Sequence, residues 1–437
     1  MNNTTSTDYY ESAGLLVPDI LLPKSGTDLT RWAVIACDQF TSSPDYWEKL
    51  AAYVDDAPST LSLILPEKFL GRDDFADRIE AINSAMRDYV DSGVFGDPCT
   101  GLILVKRTLP SGDVRTGIIC ALDLEKYDYA ANDRLIRATE GTVLSRIPPR
   151  VAIRENAPLE LPHILVLVND PHKTAIEYVA AKTDGLKPLY DTELNSGGGS
   201  VKGYLINDPD VLNEFAARLT DLKITDNGKS FLYAVGDGNH SFAAAKNHWE
   251  KLKSEGAGEF HPARFVLCEL ENIHDDGIIF EPIHRLIFDT DIEEFTDNFA
   301  AYFGLSASSA EFKGTIGDAL NEINSTDGKE YTQAVVFTGT RKNMLYVDKA
   351  ADDLAVGAVQ RFIDGIYSGK TTDYIHGEAE LEKLVRSNNA LGIILPRPPK
   401  DCIFTTISKG GILPRKTFSM GDAETKRYYM EARRITE

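Results

Sequence analysis

Basic residues are in short supply in this sequence. Lysine and arginine number 46 against 67 aspartates and glutamates, a formal charge of −21 over 437 residues. A field of that sign repels nucleic acid and anionic membrane, so neither is expected as a partner, while a local basic pocket can still hold a phosphorylated ligand. Cysteine is sparse too. Cys37, Cys99, Cys120, Cys268 and Cys402 are scattered, odd in number and form no Cys-x-x-Cys pair, so neither a zinc ribbon nor a disulfide framework is suggested. No apolar run reaches the roughly 18 residues of a membrane helix. The polar opening, residues 1–12, lacks the basic start and apolar core of a signal peptide. The expectation is a cytoplasmic protein. Paired histidines are missing as well: His240 and His248 lie about two helical turns apart, too far to share one ion in the usual one-turn arrangement. Without a Gly-x-Ser-x-Gly or a cysteine–histidine signature, nucleophilic hydrolysis has little support.

What is present is ordinary in bulk and specific in detail. Hydrophobic residues at 43% and charged residues at 26% describe a globular protein, and the length exceeds one compact domain. Apolar runs at 32–36, 61–65, 101–109, 114–122, 164–168, 264–270 and 278–287 predict strands, and Ser111-Gly112-Asp113 predicts a hairpin. Helical periodicity covers 45–54, 73–92 and 210–222, and 175–183 fits either a helix or a strand. A flexible loop is expected at 195–200 and a charged helix at 424–434. Residues 289–349 change pattern and read as a small α+β subdomain inserted in a main α/β body of 1–288 and 350–437. The fold class is α/β (α+β) with mixed sheets.

The most informative stretch is Phe231-Leu232-Tyr233-Ala234-Val235-Gly236-Asp237-Gly238-Asn239-His240-Ser241. An apolar strand meets a helix through a turn whose two glycines allow backbone shapes closed to other residues. Asp237, Asn239 and His240 therefore project where a strand ends and a helix begins, the place where α/β proteins bind anions. Ser241 is the alternative, a plain helix cap. Nucleotide signatures fail: Gly236-Asp237-Gly238 lacks its third glycine, and Gly365-Ile366-Tyr367-Ser368-Gly369-Lys370-Thr371 is one residue short of a phosphate loop.

Two basic segments stand out against the acidic background. Arg137, Arg146, Arg150 and Arg154 surround the Pro148-Pro149 pair in a stretch not expected to be helical, and Arg415 and Lys416 follow a glycine pair. Guanidinium forks and ammonium groups are the usual partners of phosphate and carboxylate, and surface ion pairing is the plainer explanation. Glu140 lies among the arginines, where a general base could be held. His284 and Arg285 sit inside an apolar run, a costly position unless they are paired.

Five motifs together are similar to one bacterial family, the domain of unknown function 1015. They are Ala33-Val34-Ile35-Ala36-Cys37-Asp38-Gln39-Phe40-Thr41, Arg137-Ala138-Thr139-Glu140-Gly141-Thr142, Arg146-Ile147-Pro148-Pro149-Arg150, Gly236-Asp237-Gly238-Asn239-His240-Ser241 and Leu413-Pro414-Arg415-Lys416-Thr417-Phe418-Ser419-Met420-Gly421. More remotely, Asp237-Gly238-Asn239-His240-Ser241 resembles the Asp-Gly-His-His-Arg loop of the ParB and sulfiredoxin superfamily. Some members of that superfamily are free-serine kinases, and their loop and following helix hold nucleotide phosphates. This chain has Asn239 for the first histidine and Ser241 for the arginine, so one phosphate contact is lost. Lys246, or Arg415 with Lys416, is the expected replacement.

The resemblance implies a ParB/sulfiredoxin-like core and phosphoryl transfer from ATP or ADP with magnesium to a small hydroxyl metabolite such as free serine. In that reading Asp237 holds magnesium or orients phosphates and His240 touches phosphate. Asp38 or Glu140 is the base. Arg137, Arg146, Arg150, Asn239, Ser241, His284, Arg285, Arg415 and Lys416 bind the charged ligand. The alternatives are a non-catalytic sensor of a phosphorylated metabolite and a phosphoester hydrolase using the same site.

Overall fold

The computed structural model describes residues 9–40, 44–325, 329–352, 354–409 and 411–437. The start of the chain before Tyr9, the Thr41-Ser42-Ser43 run and Gly410 lie outside the described residues. The chain divides into two mixed α/β units. The first is Met1–Ile279 with Phe404–Gly411 and Gly421–Glu437; the second is Phe280–Ile403 with Ile412–Met420.

Strand alternation builds the first unit. In Val114–Asp123, Ile118, Cys120 and Leu122 enter one core while Ile119 enters another, on the opposite face of the same sheet. Among the described residues the sheet runs in the order Tyr190–Glu193, Ser200–Ile206, Leu102–Thr108, Val114–Asp123, Phe265–Asn272, Leu165–Val168, Tyr233–Asp237, Ile136–Ala138. Neighbours are antiparallel except Leu165–Val168 with Phe265–Asn272 and Tyr233–Asp237 with Ile136–Ala138. Helices Ile176–Ala181, Pro209–Asp221 and Asn239–Ser254 cover one face with Ile176, Phe215 and Phe242. The other face takes Trp47 of helix Pro44–Val54, Met86 of helix Phe75–Asp91 and the C-terminal Tyr428, Tyr429 and Met430.

In the second unit the sheet order is Ala307–Glu311, Lys342–Asp348, Tyr331–Phe337, Ala390–Ile394, Phe280–Phe288, Thr372–His376, with Phe418–Met420 paired to Phe280–Phe288. Ala319, Ile323, Leu381 and Val385 of helices Ile316–Asn324 and Glu378–Ser387 pack onto it. Helix Ile316–Asn324 opens with a reciprocal cap between Thr315 and Asp318.

Several sequence expectations need correction. Residues 61–65 form no strand: 61–63 lie in the 3-10 turn Thr60–Leu63, because the Ser59 hydroxyl accepts from the Leu61 amide and starts a helical turn, and 64–65 follow it as irregular chain. Trp32 closes a short helix, Leu29–Trp32, capped by Asp28, and leaves only Val34–Ile35 as strand. The double-proline stretch is helical, Ile147–Glu155, since Pro148 and Pro149 occupy the first turn, where no backbone donor is missed. The loop at 195–200 is tied down: Asn195 Nδ2 donates to the carbonyls of Thr30 and Ala33, both at 2.7 Å.

The largest correction is at the C-terminus. The expected helix at 424–434 is instead the turn Ala423–Thr425 followed by strands Tyr428–Tyr429 and Arg433–Arg434. They pair with Val34–Ile35 and Leu159–Glu160. Arg427, Glu431 and Arg433 are buried there and bind carboxylates or guanidinium groups of the first unit, contacts that outweigh local helix propensity.

Candidate functional site

A bulge aims the central aspartate. Val235 pairs with Val166 and Asp237 with Leu165, which leaves Gly236 as the extra residue in the strand. Tyr233 and Val235 face the helix-side core, and the bulge turns Asp237 to the opposite face. There Lys426 Nζ lies 2.9 Å from Asp237 Oδ2, with the lysine side chain only 8% exposed. The Gly238 amide donates to Asp237 Oδ1 at 2.9 Å. Burial alone would raise the Asp237 pKa; Lys426, His163 and the Gly238 amide outweigh it and hold the carboxyl below its ordinary range.

Gly238 is the N-cap of helix Asn239–Ser254 and adopts φ +83°. Having no side chain, it leaves the first-turn amides of Asn239, His240 and Ser241 uncapped by its own atoms. Asn239 Nδ2 donates to Thr139 Oγ1 (3.1 Å) and to the Val235 carbonyl (3.3 Å). Its Oδ1 is buried with no donor among the described residues. His240 Nε2 accepts from the Val143 amide at 3.2 Å and so fastens the loop that carries Glu140.

A hydrogen-bonded chain runs through the same place. Ser241 Oγ is 2.8 Å from His163 Nε2, His163 Nδ1 is 3.0 Å from the Tyr429 hydroxyl, and that hydroxyl is 3.1 Å from Cys37 Sγ. With the Tyr429 proton directed to sulfur, Nδ1 donates to the phenol oxygen and Nε2 accepts from Ser241. Burial lowers the His163 pKa, while the charges of Asp38 and Asp237 oppose that shift. Burial, reinforced by Asp38, pushes the Cys37 thiol up to about 12, so it stays protonated. Arg150 forms an ion pair with Glu67, and its field reaches Cys37 and Asp38.

Asp38, Asp237, Asn239, His240, Ser241 and Arg150 are thus linked, directly or through His163 and the charges around it, at one turn of the first unit, and Glu140 lies three residues before Val143 on the loop held by His240. Other expected residues are occupied elsewhere. Arg137 donates to the carbonyls of Arg134 and Ile407 and lies over the Phe231 ring. Arg146 is exposed and lends its carbonyl to Arg150. Lys246 binds Glu250 on its own helix at 2.6 Å.

Four expected residues belong to the second unit. There the fully buried Arg285 donates to Gln360 Oε1 at 2.9 Å and to the Ile283 carbonyl at 2.5 Å. His284 Nδ1 accepts from the Leu395 amide, and its approach holds Glu378 down to about 2. Arg415 binds Asp364 at 3.0 Å; Lys416 is exposed with φ +56°.

Sequence reasoning missed Lys426, His163 and Tyr429. The only signal was positional: His163 immediately precedes the apolar run that pairs antiparallel with the Asp237 strand, so strand start and strand end meet at one edge.

Asp237 is a poor magnesium ligand in this arrangement, because both its oxygens face donors. Among the described residues no group of three or more His, Cys, Asp or Glu side chains gathers as a metal site. No helix there is long and apolar enough to cross a membrane.

Fold and site together describe a two-unit mixed α/β protein with a cluster of polar residues at a strand-to-helix turn. The model of DUF1015, a protein family of unknown function, matches residues 21–366, and the chain belongs to that family. No curated protein matches the chain. Among solved structures, a free serine kinase in complex with AMP is 9% identical, with 75% of this chain and 94% of that one covered at a TM-score of 0.38. A conserved hypothetical protein from Pyrococcus furiosus is 9% identical, with 71% and 90% covered at 0.35. SbnI from Staphylococcus aureus, truncated at its C-terminus, is 12% identical, with 69% and 81% covered at 0.36.

Proposed function

We propose that the Asp237 turn binds the phosphates of a nucleotide, ATP or ADP, and transfers a phosphoryl group to a small hydroxyl metabolite, with free serine the first candidate. The observation that carries this reading is the glycine-capped helix start flanked by a buried lysine. Three first-turn amides supply positive potential there, and the Lys426 ammonium, held by Asp237, is a cation that a bound phosphate would share. Phosphoryl transfer asks mainly for positioning and charge stabilisation, which such a site provides. The resemblance of Asp237-Gly238-Asn239-His240-Ser241 to the ParB/sulfiredoxin loop points to the same chemistry. Lys426 takes the part the sequence alone suggested for Lys246 or Arg415.

In this proposal Asp38 accepts the proton of the acceptor hydroxyl, and Glu140 is the alternative base on the loop fastened by His240. Magnesium, when bound, travels with the nucleotide and neutralises phosphate charge. Calorimetry with ATP and ADP, with and without magnesium, tests the first half. Incubation with a panel of amino acids and mass analysis of products tests the second. Absence of nucleotide binding in every condition would sink the proposal.

The Ser241–His163 contact favours one second reading, phosphoester hydrolysis with His163 as base. It predicts phosphate release from phosphoserine without nucleotide, a result the kinase reading does not give.

A further inference from the structure

On the face of the large sheet that bears Asp237, two arginines stand opposite each other. Arg107 and Arg115 are cross-strand partners in the register of Leu102–Thr108 with Val114–Asp123, and each is only 3% exposed. Like charges so placed repel, and burial strengthens the repulsion unless an anion intervenes. Arg115 has one: its Nε is 2.7 Å from Glu271 Oε1. Arg427 has two, Glu269 and Glu431. Arg107 has no carboxylate within ion-pair distance among the described residues. Its Nη2 reaches the Glu424 carbonyl at 3.4 Å, while Nε and Nη1 are buried without an acceptor.

A cavity of about 10 Å³ lies against this arginine, bordered also by Arg115, Tyr190, Glu269, Arg427, Tyr428 and Glu431, the two carboxylates being those paired with Arg427. That is room for one body of about the size of water. Phosphate and carboxylates are too large for it.

We propose that Arg107 and Arg115 hold a single small monovalent anion of the chloride class in this cavity. The anion would fasten the C-terminal segment to the sheet, because Arg107 Nη2 and Arg115 Nη1 also hold the carbonyls of Glu424 and Thr425, just before Lys426. Burial, opposed by Arg115, pushes Glu271 up to about 8, so below that pH the partner of Arg115 is a neutral carboxyl and neither cross-strand arginine is offset by it. Burial, then Arg115, lowers the Arg107 pKa to about 10, as expected of a cation facing excess positive charge. Glu271 is faced by Arg115, Glu269, Asp275 and Arg427. Its ionisation above pH 8 supplies the missing negative charge and competes with the anion.

The test uses the whole chain. Thermal unfolding at fixed ionic strength should give a Tm higher in sodium chloride than in sodium gluconate by about 2 °C or more, saturating with chloride. The difference should shrink at pH 9. Crystals soaked in bromide should show an anomalous peak beside Arg107, and Arg107→Leu should abolish both effects. Should that variant fail to fold, the wild-type halide comparison still decides. Equal Tm in the two salts with no bromide peak means the cavity holds water only and overturns the proposal. A peak without a Tm difference means an adventitious ion only and overturns it equally. None of these outcomes depends on nucleotide binding.

Discussion

Lys426 Nζ and Asp237 Oδ2 are 2.9 Å apart although 189 positions separate them in the chain. The contact joins the C-terminal segment to the end of the Tyr233–Asp237 strand and sets the charge at the helix start. Lys426→Met should weaken nucleotide binding by tenfold or more, since about 1.4 kcal/mol is a factor of ten. It should also cost about 1–3 kcal/mol of stability by leaving Asp237 without its partner. The folded Asp237 pKa lies below its unfolded value, so the pair stabilises the fold above about pH 4 and loses that effect as pH falls through the depressed value. The stability gap between wild type and variant, read from denaturant melts, should therefore be wide at pH 7 and narrow in acid.

Asp38→Asn separates catalysis from binding. If Asp38 takes the acceptor's proton, turnover should fall by about 10²–10⁴-fold while nucleotide affinity stays within about twofold. A parallel loss of affinity would make Asp38 a binding group instead, and single-turnover assays beside calorimetry distinguish the two.

Much of the layout was legible in the sequence, because strand alternation and helical period report burial directly. The 102–108 and 114–123 hairpin, helix Asn239–Ser254 and the turn between Asp237 and Ser241 follow from local pattern. What stayed hidden depends on contacts between distant segments. Lys426, Arg427 and Glu431 carry the composition of a solvated helix, and only their pairing with Asp237 and Glu269 makes them buried and extended. Arg137 reads as a ligand group because it belongs to a basic segment in an acidic chain, and Arg285 because an arginine in an apolar run needs a partner; the acceptors are backbone carbonyls and Gln360. His163 is not distinguished by the sequence, because nothing near it along the chain announces Ser241 and Tyr429.

His240 has a geometry that predicts different outcomes for two substitutions. Its Nε2 accepts from the Val143 amide, so His240→Gln can offer an oxygen in its place and His240→Leu cannot. The leucine variant should lose about 1 kcal/mol and exchange amide hydrogens faster across the 139–146 loop. The glutamine variant should keep both near wild type. Equal exchange in the two variants would show that this hydrogen bond does not hold the loop.

His248, on the same helix, is 4% exposed, and burial followed by the charge of Arg154 pushes its pKa down to about 4. The unfolded value is about 6.5, so between those two values the unfolded chain binds a proton that the native chain refuses. Stability from this group is therefore complete above pH 6.5 and declines as pH falls toward 4. His248→Gln removes the titration, and its Tm should change less than wild type between pH 6.5 and 4.5. Superimposable pH profiles would mean that the side chain ionises alike in both states.

Gly238 offers the sharpest test of whether the turn's shape is required. At φ +83° a residue with a Cβ is strained, and here the added atom would lie 3.2 Å from the Ile164 backbone Cα and 3.0 Å from its side-chain Cγ1. Left-handed backbone costs an ordinary residue roughly 1–2 kcal/mol, and the contact with a strand-start backbone cannot be relieved by turning a side chain. Gly238→Ala should therefore cost about 2 kcal/mol or more. The strain acts on the unit that aims Asp237 and opens the first-turn amides, so ligand affinity should fall further than stability alone explains. Gly228→Ala is the control. It too has positive φ, +76°, but its Cβ meets nothing within 4 Å, so it should pay the backbone term without the contact or any loss of affinity. Denaturant melts and nucleotide calorimetry on the two variants measure both quantities. Matching losses at Gly238 and Gly228, with affinity unchanged in both, would reduce the Asp237 turn to an ordinary connection.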